Sequence, residues 1–199
     1  MINGLDTELT RHGLFAIGYS LGGNILLNTL AALRASHSLI GAATVSAPIQ
    51  PMEACIRLMA PRNAIYHWFL LRRMKREALS PHARLSGQEQ NAIRAAKTLL
   101  AFDDQFTAPR HGYKDAADYY AKTAGYQFAD KLTVPTLLVH AKNDPWIPAA
   151  PYLELQKRHL SNAKIIVTSG GGHVGFHDRA SSIPWHDRII DQFISTCAA

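Results

Sequence analysis

The feature that most constrains this chain of 199 residues is a serine with a glycine two positions before it and two positions after it. Residues 18–22 read Gly-Tyr-Ser-Leu-Gly, with Ser20 at the centre. An unbroken apolar run, residues 14–17, precedes them, and residues 24–34 follow with apolar side chains at helical spacing. A tight strand–turn–helix junction strains the backbone of such a serine and places its hydroxyl at the start of a helix. We expect the two glycines to let strand and helix approach each other.

A serine in this position is a candidate nucleophile. The start of a helix offers unpaired amides and the positive end of the helix dipole, which stabilise a developing oxyanion. The backbone amide of Leu21 is therefore the predicted oxyanion donor. A serine hydroxyl also needs a base to take its proton, and the base needs a carboxylate to orient it. In this arrangement the acid and then the histidine follow later in the chain, on loops after later strands.

Both partners are present in that order. The apolar run of residues 136–140 leads to Asp144, which lies in a loop between two prolines. The run of residues 163–168 leads to His173 in a glycine-rich loop, and His177 is the nearby alternative as the base. Each candidate follows the carboxyl end of a predicted strand, where parallel sheets bind their ligands. The predicted catalytic residues are thus the serine, Asp144 and His173.

The fold class follows from short apolar strands that do not alternate with polar residues. Such strands are buried on both faces, as in a parallel sheet with helices on each side. The predicted strands cover residues 14–17, 40–46, 136–140 and 163–168. Residues 3–12 are predicted to be the end of a helix. Further helices are predicted at residues 24–34 and near residues 150–159 and 185–196. This alternation predicts an α/β fold, a mostly parallel doubly wound sheet.

One long segment breaks this rhythm. Residues from about 49 to 132 are rich in helix formers and aromatic residues and contain no clear buried strand. We interpret the segment as a helical cap inserted into a single domain that spans residues 1–199.

The formal net charge of +6 is concentrated in part at residues 72–76, Arg-Arg-Met-Lys-Arg, directly after an aromatic and aliphatic stretch at 66–71. This pattern is typical of an amphipathic helix that lies on a membrane surface, or more simply of a helix with one solvated face. We prefer the simpler interpretation and leave the peripheral membrane contact open. No nucleic-acid-binding signature accompanies the charge, so we expect no nucleic-acid partner.

Other classes are disfavoured by composition. The two cysteines, Cys55 and Cys197, form no close-spaced motif, so we expect no metal, no cofactor and no disulfide scaffold. No apolar run reaches the length of a transmembrane helix, and residues 1–13 lack the pattern of a signal peptide. These observations favour a cytoplasmic location.

Several short motifs together resemble one known family. They are Gly-Tyr-Ser-Leu-Gly-Gly-Asn at 18–24, Phe-Asp-Asp at 102–104, Thr-Ala-Pro at 107–109, His-Gly-Tyr at 111–113, Asp-Tyr-Tyr at 118–120, Val-Pro-Thr-Leu at 134–137, Asp-Pro at 144–145 and Gly-Gly-His-Val-Gly-Phe at 171–176. The chain is similar, over essentially its whole length, to the YheT-like branch of the α/β-hydrolases. That branch includes bacterial YheT-like hydrolases and the eukaryotic ABHD1- and ABHD3-type lipid esterases.

The resemblance implies a catalytic triad of Ser20, Asp144 and His173. It implies hydrolysis of carboxylic esters with medium-chain or lipid-like acyl groups through an acyl-serine intermediate, as in a serine esterase of lipid metabolism. The partner would be a small-molecule ester. Two alternatives stay open, namely an alcohol acyltransferase and a catalytically impaired fragment or interaction module of the same fold.

The chain departs from this branch in three respects, one of which is Ser169-Gly170 in place of an acidic–polar pair before the histidine loop. Asn143 stands where relatives often carry an acidic residue. Relatives also carry a long segment before the nucleophile strand, which supplies further strands and a second oxyanion amide, whereas the strand begins here at residue 14. We therefore expect the C-terminal half of a hydrolase domain, truncated at the N-terminal side. The uncovered apolar strand edge would need a preceding segment or a partner, which leaves a homo-oligomer open.

Overall fold

The computed structural model of the protein describes residues 6–33, 38–179 and 181–198. Its strands are β1 (Leu14–Tyr19), β2 (Leu39–Val45), β3 (Thr136–Ala141) and β4 (Ala163–Thr168). Its α-helices are α1 (Thr7–Thr10), α2 (Leu21–Ala32), α3 (Pro51–Leu58), α4 (Ala64–Ala78), α5 (Gly87–Ala95), α6 (Leu99–Phe102), α7 (Ala108–Arg110), α8 (Ala116–Thr123), α9 (Ala150–Gln156) and α10 (Trp185–Ala198).

The four strands form one parallel sheet in the order β1-β2-β3-β4. The inner strands β2 and β3 are buried almost throughout, because both faces of the sheet are covered. On one face, Ala43 and Val45 of β2 pack in a cluster with Ile190 of α10. On the other face, Thr44 lies against Gly23 of α2. A strand covered on both sides has no polar row, which explains the absence of alternation in its sequence.

Strand β1 lies at an edge of this sheet. In the part of the chain that the structure describes, β2 is the strand that pairs with it. The side chain of Ile17 is 45% exposed, and that of Tyr19 is exposed as well. The Tyr19 hydroxyl donates a hydrogen bond to Asp187 Oδ1 at 3.2 Å. Among the described strands, β1 is therefore an edge strand of apolar composition.

Contacts within the chain define two units. The first contains the sheet and the helices α1, α2, α9 and α10, and it is formed by Met1–Ile49 together with Ala124–Ala199. The second is Gln50–Thr123, which is helical. A 3-10 helix, Gly125–Lys131, belongs to the first unit, so the segment that we predicted to be a helical insertion extends past the helical unit.

The helical unit has a hydrophobic core of its own. Its buried members include Cys55, Leu71, Ile93, Ala96, Leu99, Phe102, Ala116 and Tyr120. Two carboxylates of the Phe-Asp-Asp motif lie beside this core. Asp103 accepts a hydrogen bond from the Tyr120 hydroxyl at 2.5 Å, and Asp104 accepts one from the Ala116 amide at 3.0 Å. The motif thus holds the helices of this unit together.

The chain leaves and re-enters the sheet unit at the same place. Ile49 is the last residue before the helical unit, and its carbonyl accepts a hydrogen bond from the Tyr126 amide at 3.0 Å. Beside it, the Gly125 amide donates to the buried side chain of Asn24 on α2 at 2.9 Å. Backbone and side-chain hydrogen bonds therefore fix the two positions of the sheet unit between which the helical segment is inserted.

The predicted strands agree with the observed ones to within two residues at each end. Helix α2 begins at Leu21, three residues before the predicted start at residue 24. The part of the predicted first helix before Asp6, and Arg34 at the predicted end of the second, lie outside the described residues. The predicted α/β fold with a parallel sheet is confirmed. Among the described helices, none has the length and hydropathy that crossing a bilayer requires.

Candidate active site

Ser20 is the single residue between the end of β1 and the start of α2. Its backbone has a φ of +49° and a ψ of −127°, a conformation that residues with a side chain rarely adopt. Backbone hydrogen bonds hold it there: the Ser20 amide donates to the Val45 carbonyl at 2.8 Å, and the Ser20 carbonyl accepts from the amides of Gly23 at 2.9 Å and Asn24 at 3.4 Å. The strained turn that the sequence predicts is present.

The close approach of strand and helix depends on two glycines. A Cβ atom on Gly18 would lie 2.6 Å from the carbonyl oxygen of Gly22, and one on Gly23 would lie 2.8 Å from the Cβ of Ala47. A Cβ on Gly22 would meet nothing within 4 Å. The expectation that the glycine after the serine permits the packing was therefore wrong for Gly22. Gly23, one residue further along α2, is the one that faces the end of β2.

The structure brings the three predicted catalytic side chains together. His173 Nε2 lies 2.9 Å from Ser20 Oγ, and His173 Nδ1 lies 2.8 Å from Asp144 Oδ2. A carboxylate can only accept hydrogen bonds, so Nδ1 carries the proton that is shared with Asp144. Nε2 is then left with a lone pair directed at the serine hydroxyl. This is the tautomer that a general base requires.

Asp144 is fully buried and anchored at both carboxylate oxygens. Its Oδ1 accepts hydrogen bonds from the amides of Trp146 at 2.8 Å and Ile147 at 3.0 Å, while Oδ2 faces His173. Burial by itself raises the pKa of the Asp144 carboxyl. The hydrogen bond from His173, the two amides and the attraction of the imidazole when it is protonated outweigh burial and hold that pKa below its ordinary value. Asp144 is therefore ionised beside the imidazole.

The loop that carries His173 is built from unusual backbone conformations. Gly171, Gly172, Val174 and Phe176 all have positive φ angles. A Cβ on Gly171 would lie 2.6 Å from the ring of Phe176, which is buried in the core under the sheet. The His173 side chain is itself only 9% exposed. The loop is tightly folded against the sheet and leaves little freedom to the imidazole.

Three residues that the sequence did not identify support this loop. The side chain of Asn143, next to the acid, accepts a hydrogen bond from the Gly172 amide at 2.8 Å. Ser46, at the end of β2 with a φ of +51°, accepts one from the Val174 amide at 3.4 Å. The ring of Trp146 lies 4.6 Å from the His173 ring, centroid to centroid. Their sequence signal is position alone: Ser46 directly follows β2, Asn143 directly precedes Asp144, and Trp146 lies two residues after Asp144.

The structure also locates Leu21, the predicted oxyanion donor, and His177, the alternative base. Leu21 is the first residue of α2, so its amide belongs to the first turn, where N–H groups have no acceptor within the helix. His177 is exposed and makes no contact with Ser20 or Asp144 in the hydrogen bonds of the described residues. Within those residues, no group of three or more His, Cys, Asp or Glu side chains could hold a metal ion.

Known proteins share both the sequence and the fold. A family model described as alpha/beta hydrolase fold matches residues 7–180. YheT of Escherichia coli (strain K12) is 35% identical over 203 residues, which cover 96% of this chain and 58% of that protein. Phospholipase ABHD3 of Mus musculus is 27% identical over 184 residues, covering 90% of this chain and 44% of the relative. The chain spans about half the length of these curated relatives.

Solved structures agree on the fold alone. The Pyrococcus furiosus esterase PF2001 superposes with a TM-score of 0.53 at 12% sequence identity, over 94% of this chain and 55% of the esterase. The family match over most of the chain, together with the nucleophile turn between β1 and α2, shows that the chain belongs to the α/β-hydrolase family, within its YheT-like branch.

Proposed function

We propose that the chain is a serine esterase that cleaves carboxylic esters through an acyl-Ser20 intermediate. One observation carries this proposal: an unbroken hydrogen-bonded series runs from Ser20 Oγ through the His173 ring to the buried carboxylate of Asp144. Such a series activates a serine hydroxyl, which is otherwise a weak nucleophile. The esterase, phospholipase and lipase names of its sequence relatives favour the same class of reaction.

In the first half of the reaction, His173 Nε2 takes the proton from Ser20 as Oγ attacks the acyl carbonyl carbon. The carbonyl oxygen becomes an oxyanion, and the Leu21 amide at the start of α2 donates a hydrogen bond to it. The tetrahedral intermediate then collapses. The bond to the alcohol oxygen breaks, that oxygen takes the proton from His173, and the acyl group remains on Ser20.

In the second half, water replaces the alcohol. His173 takes a proton from the water, whose oxygen attacks the acyl-Ser20 carbonyl carbon. Collapse of this second intermediate breaks the bond to Oγ and returns the proton to Ser20, so that a carboxylic acid is released. Asp144 stays ionised throughout and stabilises the imidazolium that forms in each half.

The proposed substrates are esters with medium-chain or lipid-like acyl groups. The relative named Phospholipase ABHD3 supports a lipid-like ester, although it matches this chain over only part of its own length. A small-molecule ester is thus the proposed partner. A cytoplasmic location, a homo-oligomer and a peripheral contact with a membrane surface also stay proposals for this chain.

The test is covalent labelling with a fluorophosphonate probe, followed by identification of the modified residue by mass spectrometry. We expect the label on Ser20 and none in Ser20→Ala. Hydrolysis of p-nitrophenyl esters should fall by a factor on the order of 10⁴ or more in that variant. Ser161→Ala removes an exposed serine of the same unit and serves as the control that keeps labelling and turnover.

The same experiment separates the alternatives. Labelling that persists in Ser20→Ala would overturn the assignment of the nucleophile. A wild-type chain that takes up no label would favour the interaction module instead. Adding ethanol during turnover distinguishes hydrolysis from acyl transfer, since an acyltransferase would form the ethyl ester in place of the free acid. A series of acyl lengths from acetate to laurate would then define the acyl preference.

A further inference from the structure

Helix α4 of the helical unit has one face in the core and one face exposed. Leu71 is buried in the core of this unit, and Met74 packs partly buried against it. On the opposite side, the side chains of Ile65, Trp68 and Phe69 are 86%, 59% and 47% exposed. Three apolar residues of this size are thus exposed together within the first turns of one helix.

The exposed side of α4 forms a single stripe. Its members recur at spacings of three and four residues, which places them on one side of an α-helix. We call this stripe the α4 face: Ile65, Trp68, Phe69, Arg72, Arg73 and Arg76. Its N-terminal half is apolar and aromatic, and its C-terminal half consists of three exposed arginines. One exposed carboxylate, Glu77, borders its C-terminal end and leaves an excess of positive charge there.

Two of the three arginines of the α4 face contact aromatic rings of the same face. The Arg72 guanidinium lies 5.4 Å from the centre of the Trp68 ring, and that of Arg73 lies 5.7 Å from the Phe69 ring. Among the ion pairs of the described residues, none includes an arginine of this face. The three positive charges are therefore available to an anionic partner.

The structure also divides the basic run at residues 72–76. Lys75 lies outside the α4 face, because its Nζ donates a hydrogen bond to the Arg94 carbonyl at 2.9 Å. Leu70, which follows the two exposed aromatic residues, packs partly buried against the core of the helical unit. Neighbours in sequence thus divide into residues that pack or bond against the rest of the helical unit, such as Leu70 and Lys75, and exposed arginines whose contacts with aromatic rings lie along α4 itself.

We propose that the α4 face docks on the surface of an anionic phospholipid bilayer. Trp and Phe side chains prefer the boundary between headgroups and acyl chains. One guanidinium group can donate hydrogen bonds to two oxygens of a phosphate at the same time. An amphipathic helix with both features lies in the plane of the interface. A second copy of this chain is disfavoured as the occupant, since two α4 faces would bring six arginines together. This proposal does not depend on the proposed hydrolysis.

The experiment is co-sedimentation of the full chain with vesicles of phosphatidylcholine alone or with about one third phosphatidylserine. We expect binding to the anionic vesicles, weakened by salt. The triple variant Arg72→Gln, Arg73→Gln, Arg76→Gln should lose on the order of 100-fold in partition coefficient. The matched triple variant Lys131→Gln, Lys157→Gln, Lys164→Gln removes the same charge from exposed positions of the other unit and should bind like the wild type.

Two more variants test the aromatic half and the division of the basic run. The double variant Trp68→Ala, Phe69→Ala should bind roughly 10-fold more weakly, because apolar side chains no longer enter the interface. Lys75→Gln should bind as the wild type does, and so should Ser20→Ala, which separates docking from catalysis. Equal losses in the two triple variants would overturn the proposal, since net charge alone would then explain binding. A wild-type chain that ignores anionic vesicles, or that dimerises through this face, would overturn it as well.

Discussion

The side chain of Asn143 accepts a hydrogen bond from the backbone amide of Gly172 at 2.8 Å, and so joins the loop of the acid to the loop of the base. Asn143 directly precedes Asp144, and Gly172 directly precedes His173. The carboxylate and the imidazole are therefore connected twice, once by their own hydrogen bond and once by that of their neighbours. Asn143 acts as a positioning residue for the proposed catalytic pair.

Replacing this acceptor should affect turnover more than stability. In Asn143→Ala the Gly172 amide loses its partner in an exposed loop, and the His173 loop gains freedom. Water can replace the lost acceptor at this exposed amide, so the urea midpoint should change little. If the looser loop costs the transition state the equivalent of one hydrogen bond, about 0.5–1.5 kcal/mol, kcat should fall by up to roughly 10-fold with KM nearly unchanged. Asn143→Asp keeps the acceptor oxygen and should retain most of kcat. A drop in the urea midpoint that parallels the drop in kcat would indicate a structural role instead.

The assignment of the base can be tested against its neighbour in the same loop. His173 contacts both Ser20 and Asp144, whereas His177 is exposed. His173→Ala should remove ester hydrolysis to the level of Ser20→Ala, since the two side chains act as a unit. His177→Ala should keep most of the wild-type kcat/KM. If His177→Ala were the more damaging change, the proposed base would be wrong.

The glycines of the nucleophile turn should differ in their tolerance of a methyl group. Gly18→Ala and Gly23→Ala each place a Cβ within 3 Å of other atoms, so each should lower the free energy of unfolding by roughly 1–3 kcal/mol. Gly22→Ala meets open space in the first turn of α2 and should be neutral or stabilising by up to about 1 kcal/mol. Urea unfolding of the three variants checks this order. A destabilised Gly22→Ala would contradict it.

Asp144 should couple stability to acid pH. Its folded-state pKa lies below the ordinary value, so the ionised carboxylate stabilises the folded chain at neutral pH. This contribution should begin to fall near the pKa of an unperturbed aspartate, about 3.9, and be lost as pH falls through the depressed value. Asp144→Asn should therefore unfold more easily than the wild type at pH 7, and the difference should shrink below about pH 4. A difference that is constant with pH would contradict the depressed pKa.

The same substitution should impair catalysis severely. An asparagine at position 144 can present an amide N–H to the imidazole and so favour the wrong tautomer of His173, leaving Nε2 protonated. A loss on the order of 10⁴ in kcat is expected from this kind of change. Ester hydrolysis at neutral pH measures it, with Asn143→Asp as the control for a charge change one residue away.

Local patterns were sufficient to predict the sheet and the proposed catalytic residues. Strands buried on both faces leave unbroken apolar runs in the sequence. The serine turn needs a glycine at position 18, because a Cβ there would collide with the first turn of the helix, and the Gly-x-Ser spacing marks this position. Asp144 and His173 could be identified because each follows such a run in a loop with distinctive residues. The sequence carries this information because each of these constraints acts over a few consecutive residues.

The supporting contacts could not be predicted in this way. Ser46 and Val174 are far apart in the chain, and their hydrogen bond exists only because parallel strands bring their carboxyl ends to one edge. Gly22 and Gly23 are adjacent in sequence, and they are distinguished only by what lies across the turn. Ala47, Thr44 and the Gly18 carbonyl face Gly23, whereas nothing lies within 4 Å of a Cβ on Gly22. In the basic run, Lys75 differs from its arginine neighbours because it donates a hydrogen bond to the backbone carbonyl of another helix. Each depends on packing between distant segments.

The hydrogen bond between the Ile49 carbonyl and the Tyr126 amide has an evolutionary consequence. An insertion whose two ends already meet in the parent fold can change in length without straining its host, since lengthening a closed loop adds little entropy cost. The segment Gln50–Thr123 can therefore change in sequence and length independently of the sheet unit. Its helices can be rebuilt, shortened or exchanged for another module while the serine turn and the two loops beside it keep their geometry. Selection can then vary this unit independently of the residues that hold Ser20, His173 and Asp144 together.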